Sequence, residues 1–329
     1  MGVYVEWKNQ AREPDSQYIQ YVYDNGKTML VICFYKEQAE LFNSPDIRSF
    51  EVDINYKHLS GTKDVEAIWA WYSPVHQRIL PLLRVFMNSE DPALLTFMYY
   101  QVHKILQQRF GIELKWKHLH GTGLIGQTAD QDWKNIIGFC KYLTKIDDER
   151  RPWQWQAKHA MRFCHVHFQR GVDKHCPRGG RNPRSRHHRM MSLLHARSQE
   201  EYIGILDGLQ NEPGLEHWIL HKRHLVIRAG LNQSCSAISQ EDWNSMQSHT
   251  NTTEVLHDIS YRWSGRYVTL LTCIKSCQKQ DLVALSLYDT NTRFGVSIGY
   301  QDTSLTGRYP LASYLVRSST RGIIYPKPL

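Results

Sequence analysis

The chain has 329 residues, 41% hydrophobic and 12% aromatic, which is enough apolar material for a buried core and excludes a disordered tail. Forty Lys and Arg against 32 Asp and Glu leave a formal charge of +8, which suits a polyanionic partner but is only a field argument. Seven widely spaced cysteines fit a reducing compartment better than a disulfide framework, Met1 to Arg12 is too polar for a leader or anchor, and no apolar run approaches membrane-span length.

Residues 1–48 are expected to form a small preamble. Tyr18 to Tyr23 and Thr28 to Phe34 have strand character, with Asn25-Gly26 as a hairpin signal between them, and Lys36 to Phe42 is a short helix. From residue 49 the pattern alternates. Phe50, Val52 and Ile54 share one face, and Glu51, Asp53 and Asn55 share the other, which predicts a half-buried strand. Ala67 to Tyr72 and Arg78 to Met87 are the next strands, the second interrupted by Pro81. Asp91-Pro92 opens an amphipathic helix that Gly111 ends; Leu94, Leu95, Met98, Val102, Ile105 and Leu106 keep helical spacing. Glu113 to Leu119 is expected as a strand and Asp132 to Leu143 as a helix. The tryptophans are expected mainly in the core, and Cys273 and Cys277, at i, i+4 on one helix face, are read as core packing.

Three strands, a helix, a strand and a helix predict a mixed α/β sheet of the ribonuclease-H type, in which acids gather at neighbouring strand ends. Lys174 to Gln199 contains no acidic residue and is expected as a flexible basic loop. Lys174, Arg178, Arg181, Arg184, Arg186 and Arg189 are its candidate phosphate contacts, because six cations without a counter-charge repel one another unless a polyanion joins them. Residues 190–280 are mostly helical by periodicity.

Phosphodiester chemistry at neutral pH needs a strong nucleophile and a neutralised phosphate, and two Mg²⁺ or Mn²⁺ ions on carboxylates supply both. Asp53 is a charged residue flanked by apolar ones on a strand; its bland alternative is a solvent-facing edge position. Asp130 precedes a helix, where Asp is an ordinary N-cap, although Asp132 is an equally good cap. Glu254 follows Asn251 at capping-box spacing. Taken singly, each bland reading is at least as good as the metal-ligand one.

Four blocks together carry a resemblance. FEVDINYKHL (50–59) resembles the first catalytic strand of Mutator-like element (MULE) DDE transposases of the fungal type. The segment 116–143, WKHLHGTGLIGQTADQDWKNIIGFCKYL, resembles the second-aspartate region. FCHVHFQRG (163–171) resembles the Cys-x-x-His signature, through Cys164 and His167. The stretch 231–254 resembles the approach to the family's Asn-x-x-Glu, through Asn251 and Glu254. The blocks stand in the family's order over about residues 50–260.

The resemblance implies a ribonuclease-H-like core with an inserted helical subdomain before the last catalytic acid, and Asp53, Asp130 and Glu254 as ligands of two Mg²⁺ or Mn²⁺ ions. Cys164, His167 and Asn251 would support that site. Zinc is disfavoured at Cys164 and His167, since further ligands from His165, His175, Cys176, His187 or His188 match no zinc-finger spacing. The implied partner is DNA, in the nucleus, with a homo-oligomer and a separate DNA-end-binding protein, because the Cys/His-rich segments that flank the core in this family have no counterpart here. The expected division is a preamble (1–48), a first catalytic part (49–172), a basic loop and helical insertion (173–248), a final catalytic helix region (249–280) and a tail (281–329). The rival expectations are a non-catalytic DNA-binding protein and a nuclease of the same fold that only hydrolyses.

Overall fold

The computed structural model describes residues 2–61, 63–176 and 185–294. In chain order they form α1 (Val3–Gln10), β1 (Ile19–Asp24), β2 (Met29–Cys33), α2 (Lys36–Leu41), β3 (Ser49–Asn55), β4 (Val65–Ser73), β5 (Arg78–Met87), α3 (Pro92–Phe110), α4 (Lys117–His120), β6 (Gly126–Ala129), α5 (Trp133–Ile146), α6 (Trp153–Ala160) and β7 (Met161–Phe163). There follow α7 (His165–His175), α8 (Arg186–Met191), α9 (Gln199–Gly208), α10 (Glu216–Arg223), α11 (Leu225–Leu231), α12 (Gln240–Ser245), α13 (Asn251–Ser264) and α14 (Leu270–Phe294). The fold is mixed α/β. Its seven strands hydrogen-bond in the order β1-β2-β5-β4-β3-β6-β7. β1 and β2 are antiparallel, whereas β3, β6 and β7 are parallel. No helix among the described residues is long and apolar enough to cross a membrane.

Several elements follow directly from local chemistry. The β1–β2 hairpin turns at Asn25 and Gly26; Gly26 takes a φ of 81°, and the Asn25 side chain accepts from the Lys27 and Thr28 amides. α3 starts where Asp91 accepts from the Ala93 amide at 2.8 Å with Pro92 in the first turn, and it ends on Gly111 in the left-handed region.

The backbone contacts divide the chain into two compact units. The first comprises residues 1–38, 54–86 and 251–329. Its apolar core includes Ile68, Ala70, Ile79 and Leu256, with Tyr72 and Val255 packed against them. The second comprises residues 39–53 and 87–250. Here α3 packs closely on α5: Gly138 leaves room for Leu95, whose Cβ would stand 2.4 Å from any Cβ added at 138, and Thr96 Oγ1 donates to the Gly138 carbonyl at 3.1 Å. Tyr99 lies against Phe139 and donates to Gln127 Oε1 at 2.8 Å, which links this helix pair to β6.

Four expectations need correction. Glu113 to Leu119 is not a strand: Trp116 makes a single bridge to Leu124 and α4 follows, while the strand that joins the sheet is β6. β3 is not half-buried, since Glu51 is 1% and Asn55 8% exposed, as befits a strand covered on both faces. Pro81 does not interrupt β5, and its carbonyl accepts from Gln38 Nε2 at 2.7 Å. α14 runs through the tail boundary expected at 281 as far as Phe294. The basic stretch is partly helical, in the end of α7 and in α8. Arg178, Arg181 and Arg184, and the tail from Tyr300 to Leu329, lie outside the described residues.

Candidate active site

Parallel pairing of β3 with β6 joins Ser49 to Gly126, Phe50 to Gln127 and Glu51 to Thr128, each pair 77 residues apart in the chain. Asp53 and Asp130 have the same separation. Asp53 lies two residues beyond the last of these pairs on β3, and Asp130 directly follows β6, so both acids lie near the same end of the paired strands. β3 leads into β4 on one side of the sheet and neighbours β6 on the other. The carboxyl ends of such strands, where the order reverses, are the usual ligand crevice of an open α/β sheet.

Gly126 makes this pairing feasible. A Cβ there would come within 2.0 Å of the Ala160 carbonyl oxygen, so only glycine lets β6 sit this close to the turn from α6 into β7. Asp132 resolves which acid caps α5: its Oδ1 accepts from the Lys134 amide, which leaves Asp130 to accept from the Asp132 amide at 3.2 Å. Burial pushes the Asp130 carboxyl up to about 6, and the charges of Asp53 and Asp132 push the same way; the Asp132 amide and His167 oppose them.

Cys164 and His167 frame the same corner. The Cys164 amide donates to the Ala129 carbonyl at 2.8 Å, which continues the β6–β7 pairing. Its Sγ accepts from the Thr250 amide at 3.3 Å, and Thr250 Oγ1 lies 3.4 Å from His167 Nδ1. Burial would raise the Cys164 thiol, but hydrogen bonding with His167 and Thr250 outweighs it and holds the thiol below its ordinary range. Three further contacts tie down the segment before Thr250. Thr128 Oγ1 donates to the Gln247 carbonyl at 2.7 Å, the His165 amide to the Ser248 carbonyl at 2.8 Å, and Arg162 to the Trp243 and Met246 carbonyls. The Cys-x-x-His motif, together with Thr128 and Arg162, thus clamps residues 243–250. The other residues weighed with it as zinc ligands have separate contacts: His187 pairs with Asp173 at 2.8 Å and Cys176 leans on the Val172 carbonyl.

Glu254 stands in the first turn of α13, which begins at Asn251; both belong to the first unit, and Asp53 and Asp130 to the second. Of the basic set, Lys174 is exposed on α7. Arg186 donates to the Pro213 carbonyl, and Arg189 pairs with Glu212 and donates to the Gly208 carbonyl, so these two arginines already have protein partners.

One residue escaped sequence reasoning. Lys222 on α10 donates to Gln131, the neighbour of Asp130, and lies over the rings of Phe168 and Trp218. Burial lowers its ammonium to about 7. Its only signal in the chain was a place in the His221-Lys222-Arg223 run, which reads as a solvated helix end.

Among the described residues, the group of three or more His, Cys, Asp and Glu whose ligand atoms all fall within 4.8 Å is His58, Glu66, Cys273 and Cys277, not the three acids. No family model, no curated protein and no solved structure matches the chain.

Proposed function

We propose that the chain carries a ribonuclease-H-like, DDE-type transposase core of the MULE kind, which cleaves DNA strands and transfers their 3′-hydroxyl ends. The single observation that carries this reading is the closeness of Asp53, on β3, to Asp130, the residue that follows the neighbouring parallel strand β6, whose carboxyl the Asp53 charge raises. Two carboxylates under mutual repulsion, offering oxygen donors only, fit Mg²⁺ or Mn²⁺. When bound, such ions supply nucleophile activation and neutralise the leaving oxygen.

Glu254 completes the set in this proposal. The clamp made by Cys164, His167 and Thr250 fixes the chain four residues before it, which supports a positioning role for the motif. Asn251 opens α13, and Glu254 lies in the same first turn. Lys174, Arg178, Arg181 and Arg184 are the cations assigned to the phosphate backbone, with Arg186 and Arg189 joining by exchange of their protein partners. DNA in the nucleus, a homo-oligomer and a separate DNA-end-binding protein belong to the same reading.

The test is a nicking and joining assay with the full chain, duplex DNA and Mg²⁺ or Mn²⁺. Metal-dependent nicks are expected, reduced at least about 100-fold by Asp53→Asn, Asp130→Asn or Glu254→Gln. Nicking without joining would assign a hydrolytic nuclease. DNA binding with no nicking in either metal would leave a non-catalytic DNA-binding protein and overturn the proposal.

A further inference from the structure

The first unit encloses a second group of ligand-type side chains, unrelated to the paired aspartates. His58 follows β3, Glu66 lies on β4, and Cys273 and Cys277 share one face of α14. His58, Glu66 and Cys273 are 0% exposed and Cys277 is 1%. His58 Nδ1 is 2.6 Å from Glu66 Oε2, Cys273 Sγ is 3.3 Å from His58 Nδ1, and Cys277 Sγ is 3.5 Å from Glu66 Oε1. Donors on a tetrahedral zinc ion, at radii of about 2.0–2.3 Å, stand about 3.5 Å apart, which matches the two sulfur contacts, whereas His58 Nδ1 and Glu66 Oε2 would part by about 1 Å to admit the ion.

The orientation of His58 points the same way. Its Nε2 lies 2.7 Å from Ser264 Oγ, the kind of outer hydrogen bond that zinc-bound histidines make through the ring nitrogen that does not hold the metal. Nδ1 faces the Glu66 carboxylate, a close approach that a cation between the two would satisfy.

Charge balance leaves room for one, with His257 Nδ1, 3.6 Å from Glu66 Oε2, as the other ring nitrogen that faces this carboxylate. Glu66 accepts from Arg84 Nη1 at 2.8 Å, but Arg84 also binds Asp281, at 2.9 and 3.0 Å, so one guanidinium serves two buried carboxylates.

We propose that His58 Nδ1, Glu66, Cys273 and Cys277 form a closed structural zinc site that fastens α14 to β4 and to the loop after β3. Binding sends the two thiol protons to solvent. Complete burial leaves no open position for a substrate, which makes the site structural rather than catalytic. Both cysteines are buried, as core packing requires, and the proposal adds a ligand role to it.

Elemental analysis of the full chain, purified without chelator, is expected to find about one zinc per chain. Co²⁺ in its place should give tetrahedral visible bands and a near-ultraviolet sulfur-to-cobalt band; the all-oxygen Asp53–Asp130 pair can give no sulfur band. The double variant Cys273→Ser, Cys277→Ser should lose zinc and the sulfur band, whereas Cys235→Ser, in the other unit, should keep both. If the double variant does not fold, His58→Gln replaces it and must weaken or shift the cobalt bands. Reduced wild-type protein that holds no zinc and gives no sulfur-to-cobalt band overturns the site. A folded double variant that keeps the band, or a His58→Gln spectrum identical to wild type, does so equally.

Discussion

Asp53, on β3, and Asp130, the residue after β6, are separated in the chain by the same 77 residues as every paired residue of those strands, and the Asp53 charge raises the Asp130 carboxyl. Their proximity has an energetic consequence. The Asp130 carboxyl is raised to about 6, first by burial and then by Asp53. A carboxyl whose folded pKa exceeds its unfolded value contributes stability below about pH 4, and that contribution is lost as pH rises through about 6. Asp53→Asn removes one share of the shift. The variant should titrate Asp130 at lower pH and be more stable than wild type at pH 8 by about 1 kcal/mol, although inactive in nicking. Carboxyl NMR titration and urea unfolding at pH 8 check both parts; a variant less stable than wild type would show that the pair is not repulsive. Mg²⁺ or Mn²⁺ should raise the wild-type Tm and not that of the variant.

Much of the fold was legible because local rules and tertiary demands agree. The Asn25-Gly26 hairpin, the Asp91-Pro92 start and Gly111 end of α3, and the strand around Asp53 all follow from turn chemistry and periodicity. β6 was missed because Gly126-Gln127-Thr128-Ala129 is four residues long and buried on both faces, so it shows neither alternation nor a β-branched run. Glu113 to Leu119 misled because its apolar residues Leu114 and Trp116 are buried as a loop entering α4. The His58 cluster joins residues about 200 positions apart, which no spacing rule reveals. Its signal was nonetheless present: Glu66 and Arg84 are lone charges within the apolar runs of β4 and β5, and a buried charge needs a partner.

Gly126 and Gly208 separate close approach from open space. Gly126→Ala puts a methyl group about 2 Å from the Ala160 carbonyl and should cost more than about 3 kcal/mol by splitting β6 from its neighbour. Gly208 ends α9 with nothing within 4 Å of an added Cβ, so Gly208→Ala should be neutral or stabilise by up to about 1 kcal/mol. Thermal unfolding of the two variants side by side measures the contrast, and equal effects would contradict the β6 geometry.

Arg162 tests the clamp on residues 243–250. Its guanidinium donates to the Trp243 and Met246 carbonyls and lies over the Trp243 ring at 4.8 Å; burial lowers it to about 10. Arg162→Met leaves both carbonyls without this donor and should cost about 2–3 kcal/mol. Arg162→Lys should recover only part, since an ammonium cannot reproduce the planar fork. Hydrogen exchange at the Thr250 amide, which donates to Cys164, should quicken in Arg162→Met before global stability falls far. Unchanged protection there would mean that the segment is held from elsewhere.

Lys222 makes a pH prediction of the opposite sign from Asp130. Its folded pKa is about 7 against an ordinary value of 10.5, and burial is the cause. The unfolded chain holds the proton between those values and the folded chain does not. Stability from this group is therefore complete above about pH 10.5 and is lost as pH falls through about 7. Lys222→Met keeps a flexible apolar stem against Phe168 and Trp218 but removes the charge and the bond to Gln131. At pH 6 the variant should exceed wild type by about 1–2 kcal/mol, and the gap should close as pH approaches 10. Urea unfolding at pH 6, 8 and 10 reads the slope directly. A wild type whose stability does not rise faster with pH than that of Lys222→Met over this range would place the ammonium in water, away from Gln131 and the neighbouring Asp130.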